Sequence, residues 1–528
     1  MATVQAPEAI AVGPFHNEPA TDFSRSENVQ AMRTAIEKVR AQLGREYPLI
    51  IGSKNVTTKD KIRSLNPAKP TELVGLFQKA GKEEVEPAMK AALKAFEKWS
   101  RTPVEERVNL LFRVGDIIRR RKHEFSAWMI FEVSKNYAEA DADVAELIDF
   151  CEFYGREALR LAKAEPPVQL PGERDHLWYI PLGVGVVIPP WNFPSAIMGG
   201  MTLASIVCGN TVILKPSSDS PAIAQKFMEA LLEAGMPEGV VNYCPGAGAS
   251  FGDALVAHPK TRYIAFTGSR EVGLRINHVA AQTAAGQIWI KRTVLEMGGK
   301  DAIIVDADAN NIDAAVEGVA AAAFGFQGQK CSACSRLILD EKIYDSFIDK
   351  LKARVEKITV GDATQNPGMG AVINEASMKS ILDYIDHGRR DGRLITGGRR
   401  DSKAGEGYFI QPTVIADIAP KSKLEQEEIF GPVLAVMKSR NFDHALEIAN
   451  DTEFGLTGAV YSGSREKLER AKREFHVGNL YLNRKCTGAM VGAHPFGGFN
   501  MSGTDSKAGG PDYLYLFTQA KSIGEKLT

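Results

Sequence analysis

Apolar residues recur at helical spacing over several long stretches of the chain, the pattern of amphipathic helices. After a polar start, this spacing predicts helices over 27–44, 83–99, 105–134 and 139–164. From about residue 182 the pattern changes, and short β-branched runs alternate with helical ones. Such alternation is typical of βαβ units, which build a mostly parallel sheet with helices on both faces.

Two α/β sets of this kind follow one another along the chain. The first contains the predicted strands VGVVI, TVILK, VVNYC and YIAFTG, between residues 184 and 268. The second begins near residue 296 and contains the strand-like runs DAIIV, RLILD, VLAVM and GAVYS. Its predicted helices cover 311–323, 341–358, 374–391, 442–450 and 464–475. The sequence therefore predicts an α/β fold with two doubly wound parallel-sheet domains, a Rossmann-like cofactor domain over 1–295 and a thiol-bearing domain over 296–482.

Two further segments have the character of extended chain at the margins of these sets. VQLPGERDHLWYIPLG, residues 168–183, contains a turn at Pro171 and Gly172, and the tail DYLYLFTQAKSI is strand-like. Strands at the margin of a domain often pair with another subunit. Residues 165–181 and the C-terminal segment within 483–528 are therefore candidates for a small β element used in oligomerisation.

Composition narrows the classes of partner. The chain of 528 residues has a net charge of −1 and a pI near 6.8, which gives no electrostatic reason to bind nucleic acid or an acidic membrane surface. No apolar run approaches the roughly 20 residues of a membrane span, and no secretory signal is visible. Six scattered cysteines do not suggest a disulfide framework. We therefore expect a soluble, cytoplasmic protein with a small-molecule substrate.

The stretch FGFQGQKCSACSR places two thiols three residues apart, Cys331 and Cys334. A structural zinc site requires four ligands, and no second Cys-x-x-Cys pair or Cys/His cluster completes one, so no metal is predicted. A thioredoxin-like redox pair would open a helix, whereas here a glycine-rich turn leads into a strand. A single nucleophile at Cys331 fits this context best. From this stretch alone, two purely structural thiols remain the alternative.

Three stretches are candidates for contact with a nucleotide. LKPSS places Lys215 at the C-terminal end of a strand, where ligands of open α/β sheets bind, although a strand-end lysine is more often only solvated. FTGS ends a strand and opens a helix, so Ser269 and the helix N-terminus suit a pyrophosphate; an ordinary βα turn is the alternative. PGAGASFG nearly matches the fingerprint GxGxxG, but Gly252 comes one residue late and no role is assigned to it.

A thiol nucleophile also needs an oxyanion donor and a base for deacylation. PPWNFP presents the amide of Asn192 from a rigid aromatic loop at a strand end. LEMGGK places Glu296 at a strand end beside two glycines, a plausible setting for a general base. EEIFGP offers Glu428 and Phe430 at the entrance of another strand.

WNFP, FTGS, LEMGGK, the Cys331 loop and EEIFGP occur in this order, and together they resemble the NAD(P)-dependent aldehyde dehydrogenase superfamily from about residue 48 to the C-terminus. One branch of this superfamily, the 1-pyrroline-5-carboxylate dehydrogenase family, is similar to the chain in three features. These are the segment 483–514, the sequence QGQKCSACSR and the helical N-terminal extension. The resemblance implies a single-function enzyme that oxidises L-glutamate γ-semialdehyde to L-glutamate in proline degradation. It also implies a homodimer, or an assembly of dimers, built through a shared sheet.

Each motif acquires a role within this resemblance. Cys331 is implied to be the nucleophile, passing through a thiohemiacetal and a thioester. Asn192 and the backbone N–H of Cys331 would hold the oxyanion, and Glu296 would activate the hydrolytic water. Lys215 and Glu428 would hold the riboses of the cofactor, with Ser269 near the pyrophosphate. The remaining implied cofactor contacts are Pro190, Trp191 and Phe430.

The cofactor and substrate are less closely defined. Ser218 stands where many NAD-preferring members carry a glutamate that repels a 2′-phosphate; NAD is expected because this branch commonly uses it, and charge does not exclude NADP. Residues 483–514, which we call the anchor loop, are implied to bind the polar end of the substrate. Glu146 would lie near the mouth of the substrate site, or is a solvated helix carboxylate. The other implied substrate contacts are Ser332, Gly488, Ala489, Phe193 and Phe496.

Three alternatives remain open. The enzyme could act on another amino-semialdehyde or on an aliphatic aldehyde. A CoA-acylating relative would replace hydrolysis by thiol transfer, against which Glu296 argues. A binding protein that keeps the fold without turnover is the third, although Cys331, Asn192 and Glu296 together disfavour it.

Overall fold

Two seven-stranded sheets form the frame of the protein, whose computed structural model describes residues 12–166 and 168–527. The predicted α/β fold is confirmed. In spatial order, the strands of the first sheet are Arg292–Glu296, Thr261–Thr267, Val184–Ile188, Thr211–Leu214, Val241–Tyr243, Leu49–Ile51 and Lys54–Val56. Those of the second sheet are Arg393–Thr396, Thr413–Ala416, Val433–Ser439, Cys334–Asp340, Asp301–Val305, Thr457–Tyr461 and Asn479–Leu482.

Strand order in the first sheet creates a crevice. Five strands run parallel, and the chain enters this parallel set at Val184–Ile188, then adds two neighbours on one side and two on the other. The carboxyl ends on either side of such a reversal diverge, which leaves room for a ligand. Val184–Ile188 is buried along its whole length, as expected for a strand covered on both faces.

Helices cover both sheets, and most lie close to the predicted ranges. Their bounds are Ser26–Arg40, Lys82–Trp99, Val104–Arg120, Lys122–Val133, Tyr137–Ala162, Ala196–Val207, Pro221–Glu233, Asp253–Ala257, Arg270–Ala281, Ile312–Phe324, Tyr344–Val355, Glu375–Asp391, Lys423–Gln426, Phe442–Asn450 and Arg465–Glu474. The single helix predicted over 105–134 is wrong, because the backbone leaves helical geometry at Arg121 (φ −103°, ψ 16°) and two helices result. Within the described ranges, no helix combines the length and apolarity needed to cross a membrane.

A three-stranded sheet near the N-terminus was not predicted. It pairs Glu46–Tyr47, Lys69–Gln78 and Lys61–Asn66. In Lys61–Asn66 burial alternates strictly, but two of the inward positions are polar, Ser64 and Asn66. Their side chains are satisfied by Glu132 and Glu72, so the alternation exists in the structure without a matching hydrophobic pattern in the sequence.

The C-terminal tail pairs with the segment before the first sheet. Glu173–Pro181 and Thr518–Lys526 form a two-stranded antiparallel sheet, and a second small sheet joins Phe454–Gly455 to Phe499–Asn500. The turn predicted at Pro171 and Gly172 is confirmed, and the strand after it begins at Glu173; residue 167 lies outside the described residues. The tail was predicted to be strand-like from Asp512, but Tyr513–Phe517 is a 3-10 helix with buried aromatic rings and the strand begins at Thr518.

Candidate active site

A cavity of about 490 Å³ opens at the crevice of the first sheet and extends to the second. Ile188 and Thr267 contribute from the carboxyl ends of two first-sheet strands, and Cys331 from the loop before a second-sheet strand. Nine of the residues predicted from the sequence line this one cavity: Pro190, Trp191, Asn192, Lys215, Ser218, Ser269, Cys331, Glu428 and Phe430. Residues 240 positions apart in the chain, Pro190 and Phe430, are therefore brought together by the two sheets.

The two thiols of the Cys-x-x-Cys pair lie in different environments. The helix Ile312–Phe324 ends in a tight turn, where Phe326 and Gln327 adopt positive φ angles of 48° and 58°. Cys331 follows on the cavity wall and is partly exposed. Cys334 is the first residue of a strand and is buried in the core of the second sheet with 1% of its surface exposed. Only Cys331 is accessible to a ligand in the cavity.

Burial raises the pKa of the Cys331 thiol well above its usual range, and the carboxylates of Asp301, Glu428 and Glu296 act in the same direction. A thiol in this setting is protonated at neutral pH. A group that accepts its proton is therefore required before or during any attack by sulfur.

Asn192 is held firmly at the cavity wall. Its side chain is 3% exposed, and Nδ2 donates a hydrogen bond to the carbonyl oxygen of Gln329, 3.0 Å away. An amide nitrogen carries two hydrogens, so this contact orients the group and leaves the second hydrogen for a ligand. Trp191 and Phe430 meet edge to face nearby, with ring centroids 5.5 Å apart.

Glu296 is the last residue of the strand Arg292–Glu296, as the sequence predicted, and its carboxylate lies among groups from the anchor loop. Oε1 accepts hydrogen bonds from Ser506, from Oγ at 2.7 Å and from the backbone N–H at 3.3 Å. Oε2 accepts one from the N–H of Gly498 at 3.3 Å. Burial raises the pKa of Glu296 to about 7, and these hydrogen bonds oppose the rise. The carboxylate therefore exchanges protons near neutrality.

The two glycines of LEMGGK are required by their neighbours. A Cβ on Gly298 would lie 2.2 Å from the carboxylate of Glu428, and one on Gly299 would lie 2.3 Å from the carbonyl oxygen of Cys331. The N–H of Gly299 donates to Glu428 at 3.0 Å. Burial raises the pKa of Glu428 to about 7. This segment thus positions both the thiol loop and the Glu428 carboxylate.

The far end of the cavity carries the nucleotide candidates. Lys215 is 6% exposed, and its Nζ donates to the carbonyl oxygens of Pro216 and Gly246 at 3.3 and 3.2 Å. Burial lowers the pKa of Lys215 to about 8. Ser269 begins the helix Arg270–Ala281, and its Oγ accepts the N–H of Val272 at 3.4 Å. A cation and a helix N-terminus thus face the same space.

Several cavity residues were missed by the sequence reasoning. Gly248 and Gly252 both line the cavity, at the two ends of a π-helical turn. The near-match to GxGxxG was the signal that could have found them. Asp219, next to the predicted Ser218, also lines the cavity, and its side chain accepts a hydrogen bond from Asn374 at 3.4 Å.

The remaining predicted residues, Glu296 among them, lie outside this cavity's lining. Glu146 is on the helix Tyr137–Ala162, where burial raises its pKa to about 8, with Asp143 and Asp149 adding to the rise. The ring of Phe193 covers the Nζ of Lys135, 4.1 Å from the ring centre, and Lys135 is paired with Asp143 at 2.8 Å. Sequence reasoning missed this buried pair, because neither residue belongs to a motif.

The anchor loop contacts the thiol loop through the side chain of Cys486. The Sγ of Cys486 donates to the carbonyl oxygen of Ser332 at 3.4 Å, and Ser332 is 8% exposed. Gly488 has a positive φ of 82°, which favours glycine. Ala489 follows it, and Phe496 is held by paired backbone hydrogen bonds with Ala508 at 2.8 and 2.7 Å. Glu146, Phe193, Ser332, Gly488, Ala489 and Phe496 are therefore not brought into the same cavity wall as Lys215.

The fold and this arrangement of a thiol, a carboxylate and an open α/β crevice define the class of protein. Residues 55–523 match the aldehyde dehydrogenase family, and the chain belongs to that family. The predicted resemblance is confirmed.

Individual relatives of the chain share a single enzyme name. The chain is 58% identical to the 1-pyrroline-5-carboxylate dehydrogenase of Geobacillus thermodenitrificans over 515 residues, which cover 97% of this chain and 99% of the relative. It is 57% identical over the same length to the enzyme of that name from Geobacillus kaustophilus, again covering 97% and 99% of the two chains. A crystal structure of the Thermus 1-pyrroline-5-carboxylate dehydrogenase with bound NAD superposes with a TM-score of 0.96 at 51% identity, covering 98% of this chain and all of the other.

Proposed function

We propose that the protein oxidises L-glutamate γ-semialdehyde, the open-chain form of 1-pyrroline-5-carboxylate, to L-glutamate, with NAD as the hydride acceptor. The reaction would be the last step of proline degradation. The observation that carries the proposal is a single accessible thiol, Cys331, in a cavity at the crevice of a dinucleotide-type sheet. The near-full-length identity to enzymes named for this substrate supports the choice of aldehyde.

The first step is addition of Cys331 to the aldehyde. The C–S bond forms as the carbonyl π bond breaks, and the thiol proton leaves the sulfur. Because the thiol is protonated at rest, we assign acceptance of this proton to Glu296, whose pKa is about 7. The negative charge that develops on the carbonyl oxygen is assigned to the free Nδ2 hydrogen of Asn192 and to the backbone N–H of Cys331.

In the second step the oxyanion of the thiohemiacetal re-forms the carbonyl π bond as the C–H bond breaks and a hydride leaves, which gives a thioester, and Glu296 releases the proton that it took from the thiol to solvent. NAD, when bound, supplies the acceptor for the hydride. Glu296 then takes a proton from the water that attacks the thioester carbon, so that a C–O bond forms and the C–S bond breaks. A base with a pKa near 7 is suited to this transfer at neutral pH. The thiol of Cys331 is restored and L-glutamate leaves.

The cofactor assignment rests on the chemistry of the cavity wall. Lys215 and Glu428 are a cation and a carboxylate suited to ribose hydroxyls, and Ser269 and the helix N-terminus suit a pyrophosphate. Gly298 has no side chain where Glu428 approaches, so the carboxylate can face the cavity. Ser218 adds no negative charge, and a 2′-phosphate is therefore not repelled at that position. NAD is preferred because the Thermus structure is described with NAD bound.

The substrate is assigned to the region beyond the thiol. We propose that Ser332 and the backbone N–H groups of Gly488 and Ala489 bind its carboxylate and amino end. Phe193 and Phe496 would enclose the aliphatic middle. Burial raises the pKa of Glu146 to about 8, so its side chain is mostly protonated near neutrality. Once it has lost this proton, the carboxylate would accept a hydrogen bond from the substrate's ammonium group. A site of this kind pairs an apolar centre with polar ends.

Assembly and location are part of the same proposal. The sheet of Glu173–Pro181 and Thr518–Lys526 is two-stranded and carries a half-exposed Trp178, so a second copy is proposed to cover it in a dimer. The cytoplasm is the proposed location, because Cys331 must stay a thiol to react and thiols persist in that compartment.

The test is NADH formation, followed by its absorbance, with 1-pyrroline-5-carboxylate, in the presence and absence of CoA. We expect turnover without CoA and no stimulation by it. Cys331→Ala should abolish turnover. Cys334→Ala is the matched control, since it removes a thiol three residues away that faces the core, and most of the activity should remain. Equal loss in both variants, or dependence on CoA, would contradict the proposal.

A further inference from the structure

Residues 13–21, which we call the N-terminal arm, cross the helix Tyr137–Ala162 without forming a helix or strand. Phe15 packs edge to face on Phe153 of that helix, with ring centroids 5.2 Å apart. Arg156 of the same helix donates a hydrogen bond to the carbonyl oxygen of Gly13 at 2.9 Å. The arm therefore follows the helix over several turns.

Two buried carboxylates on the helix receive the arm. Asp141 and Asp149 are 1% and 4% exposed, and they lie eight residues apart, about 12 Å along one face. The N–H and Oγ of Thr21 donate to Asp141 at 2.8 and 2.5 Å. The N–H of Glu18 and the Nδ2 of Asn17 donate to Asp149 at 2.6 and 2.8 Å. A buried carboxylate without donors is costly, so the arm is part of the folded structure.

One arm residue also reaches the anchor loop. The Nδ2 of Asn17 donates a second hydrogen bond to the carbonyl oxygen of Val491, 3.1 Å away. Val491 is 5% exposed and follows Ala489 by two residues. The Cβ position of Gly492 lies 3.2 Å from the ring of Phe15, so arm and loop are in close contact. Both hydrogens of the Asn17 amide are thus used, one on the helix and one on the loop.

The same helix also contacts the anchor loop directly. The N–H of Gly492 donates to the carbonyl oxygen of Gly509 at 2.8 Å, and the N–H of Gly509 donates to the hydroxyl of Tyr154 at 2.9 Å. Glu146, the proposed ammonium contact, lies one turn before Asp149. The helix therefore carries a proposed substrate residue, the support of the loop and the attachment of the arm.

We propose that Asn17 is a positioning residue. It fixes the anchor loop to the helix, so that the N–H groups of Gly488 and Ala489 keep the spacing that the substrate's carboxylate requires. This inference rests on the proposed function of that loop. Asn17 does not touch the cavity of the cofactor, so its effect should fall on the amino-acid end of the substrate and not on NAD.

The test compares Asn17→Ala with Thr21→Val. Thr21→Val is the matched control, because it weakens an arm contact to a buried carboxylate of the same helix but makes no contact with the anchor loop. In Asn17→Ala we expect the KM for 1-pyrroline-5-carboxylate and the inhibition constant of L-glutamate to rise about threefold to tenfold, the range of one neutral hydrogen bond, that to Val491. The KM for NAD, and kcat/KM for propanal, which has no carboxylate, should not change. If Asn17→Ala folds poorly, Asn17→Leu, whose side chain is similar in size to asparagine, takes its place in the test, and the same rise in KM is expected.

Hydrogen–deuterium exchange provides a readout that does not depend on turnover. The peptide containing Gly488–Val491 should exchange faster in Asn17→Ala than in wild type, and Thr21→Val should leave it unchanged. An unchanged KM for 1-pyrroline-5-carboxylate in Asn17→Ala would overturn the inference, as would an equal rise in Thr21→Val or an equal loss with propanal. Failure of the wild-type protein to oxidise 1-pyrroline-5-carboxylate would instead overturn the proposed function, and the exchange measurement would still test the contact between arm and loop.

Discussion

The Ser506 hydroxyl lowers the pKa of Glu296, and removing this hydroxyl should move the pH profile of the enzyme. Burial holds the pKa of Glu296 near 7, and the strongest opposing influence is the hydrogen bond from the Ser506 side chain, 2.7 Å long. That bond stabilises the carboxylate more than the neutral acid. Ser506→Ala should therefore raise the pKa of Glu296 further and reduce the fraction of enzyme with an ionised base.

The size of the effect follows from the single bond that is lost. A hydrogen bond to a charged group contributes about 1.5–3 kcal/mol, and part of it survives with the neutral acid, so a net loss of about 1.4 kcal/mol corresponds to a rise of about one pH unit. At pH 7 the ionised fraction would fall from about one half to about one tenth, so a rate limited by hydrolysis would fall about fivefold. Since the missing species is recovered as pH rises, the variant should approach the wild-type rate above pH 9.

The assay is the dependence of kcat on pH, from pH 5.5 to 9.5, with saturating aldehyde and NAD. Its acid limb should shift upward by about one unit in Ser506→Ala. Ser506→Thr, which keeps a hydroxyl, should shift it less. An unshifted acid limb, or a loss of rate that persists unchanged at pH 9.5, would refute the reasoning, because a structural defect does not titrate with Glu296.

Two further predictions concern the cofactor. Ser218→Glu places a carboxylate at the cavity wall, so it should raise the KM for NADP more than the KM for NAD in steady-state assays. Equal effects on the two KM values would contradict this prediction. Gly298→Ala inserts a Cβ that would lie 2.2 Å from the Glu428 carboxylate, so Glu428 must move and the KM for NAD should rise at least severalfold. The control is Gly286→Ala, which is measured under the same conditions. The Cβ position of Gly286 has no neighbour within 4 Å, although its positive φ of 78° strains alanine. If the affinity for NAD were retained in Gly298→Ala, Glu428 would not hold the cofactor.

Motifs that lie at the ends of strands were predictable, because the direction of a parallel strand determines where its carboxyl end points. Glu296, Lys215 and Ser269 were placed from the sequence in this way. Ser506 and Asn17 were not, since their contacts with Glu296 and Val491 span 210 and 474 residues and no local pattern encodes them. Such contacts depend on packing of the whole chain.

The glycine stretch PGAGASFG shows how a motif can fail by one residue for a structural reason. Its third glycine, Gly252, lies one position beyond the fingerprint. In the structure the N–H of Gly252 donates to the carbonyl oxygen of Ala247, five residues earlier, at 3.1 Å, which is a π-helical turn. A π turn accommodates one extra residue compared with an α turn. Gly248 and Gly252 consequently still face the cavity, although the spacing alone argued against it.

LEMGGK connects the two sheets that form the site, and this position explains why its residues were predictable from the sequence. Glu296 ends a strand of the first sheet and Asp301 begins a strand of the second, so only residues 297–300 connect the two. Asp301 pairs with Cys334, which directly follows the thiol loop, and Gly299 lies against the carbonyl of Cys331. This short connection therefore sets the separation of the proposed base from the nucleophile. The anchor loop is attached at two places: Gly498 and Ser506 hold the Glu296 carboxylate, whereas the part around Val491 is held by the helix Tyr137–Ala162 and the N-terminal arm.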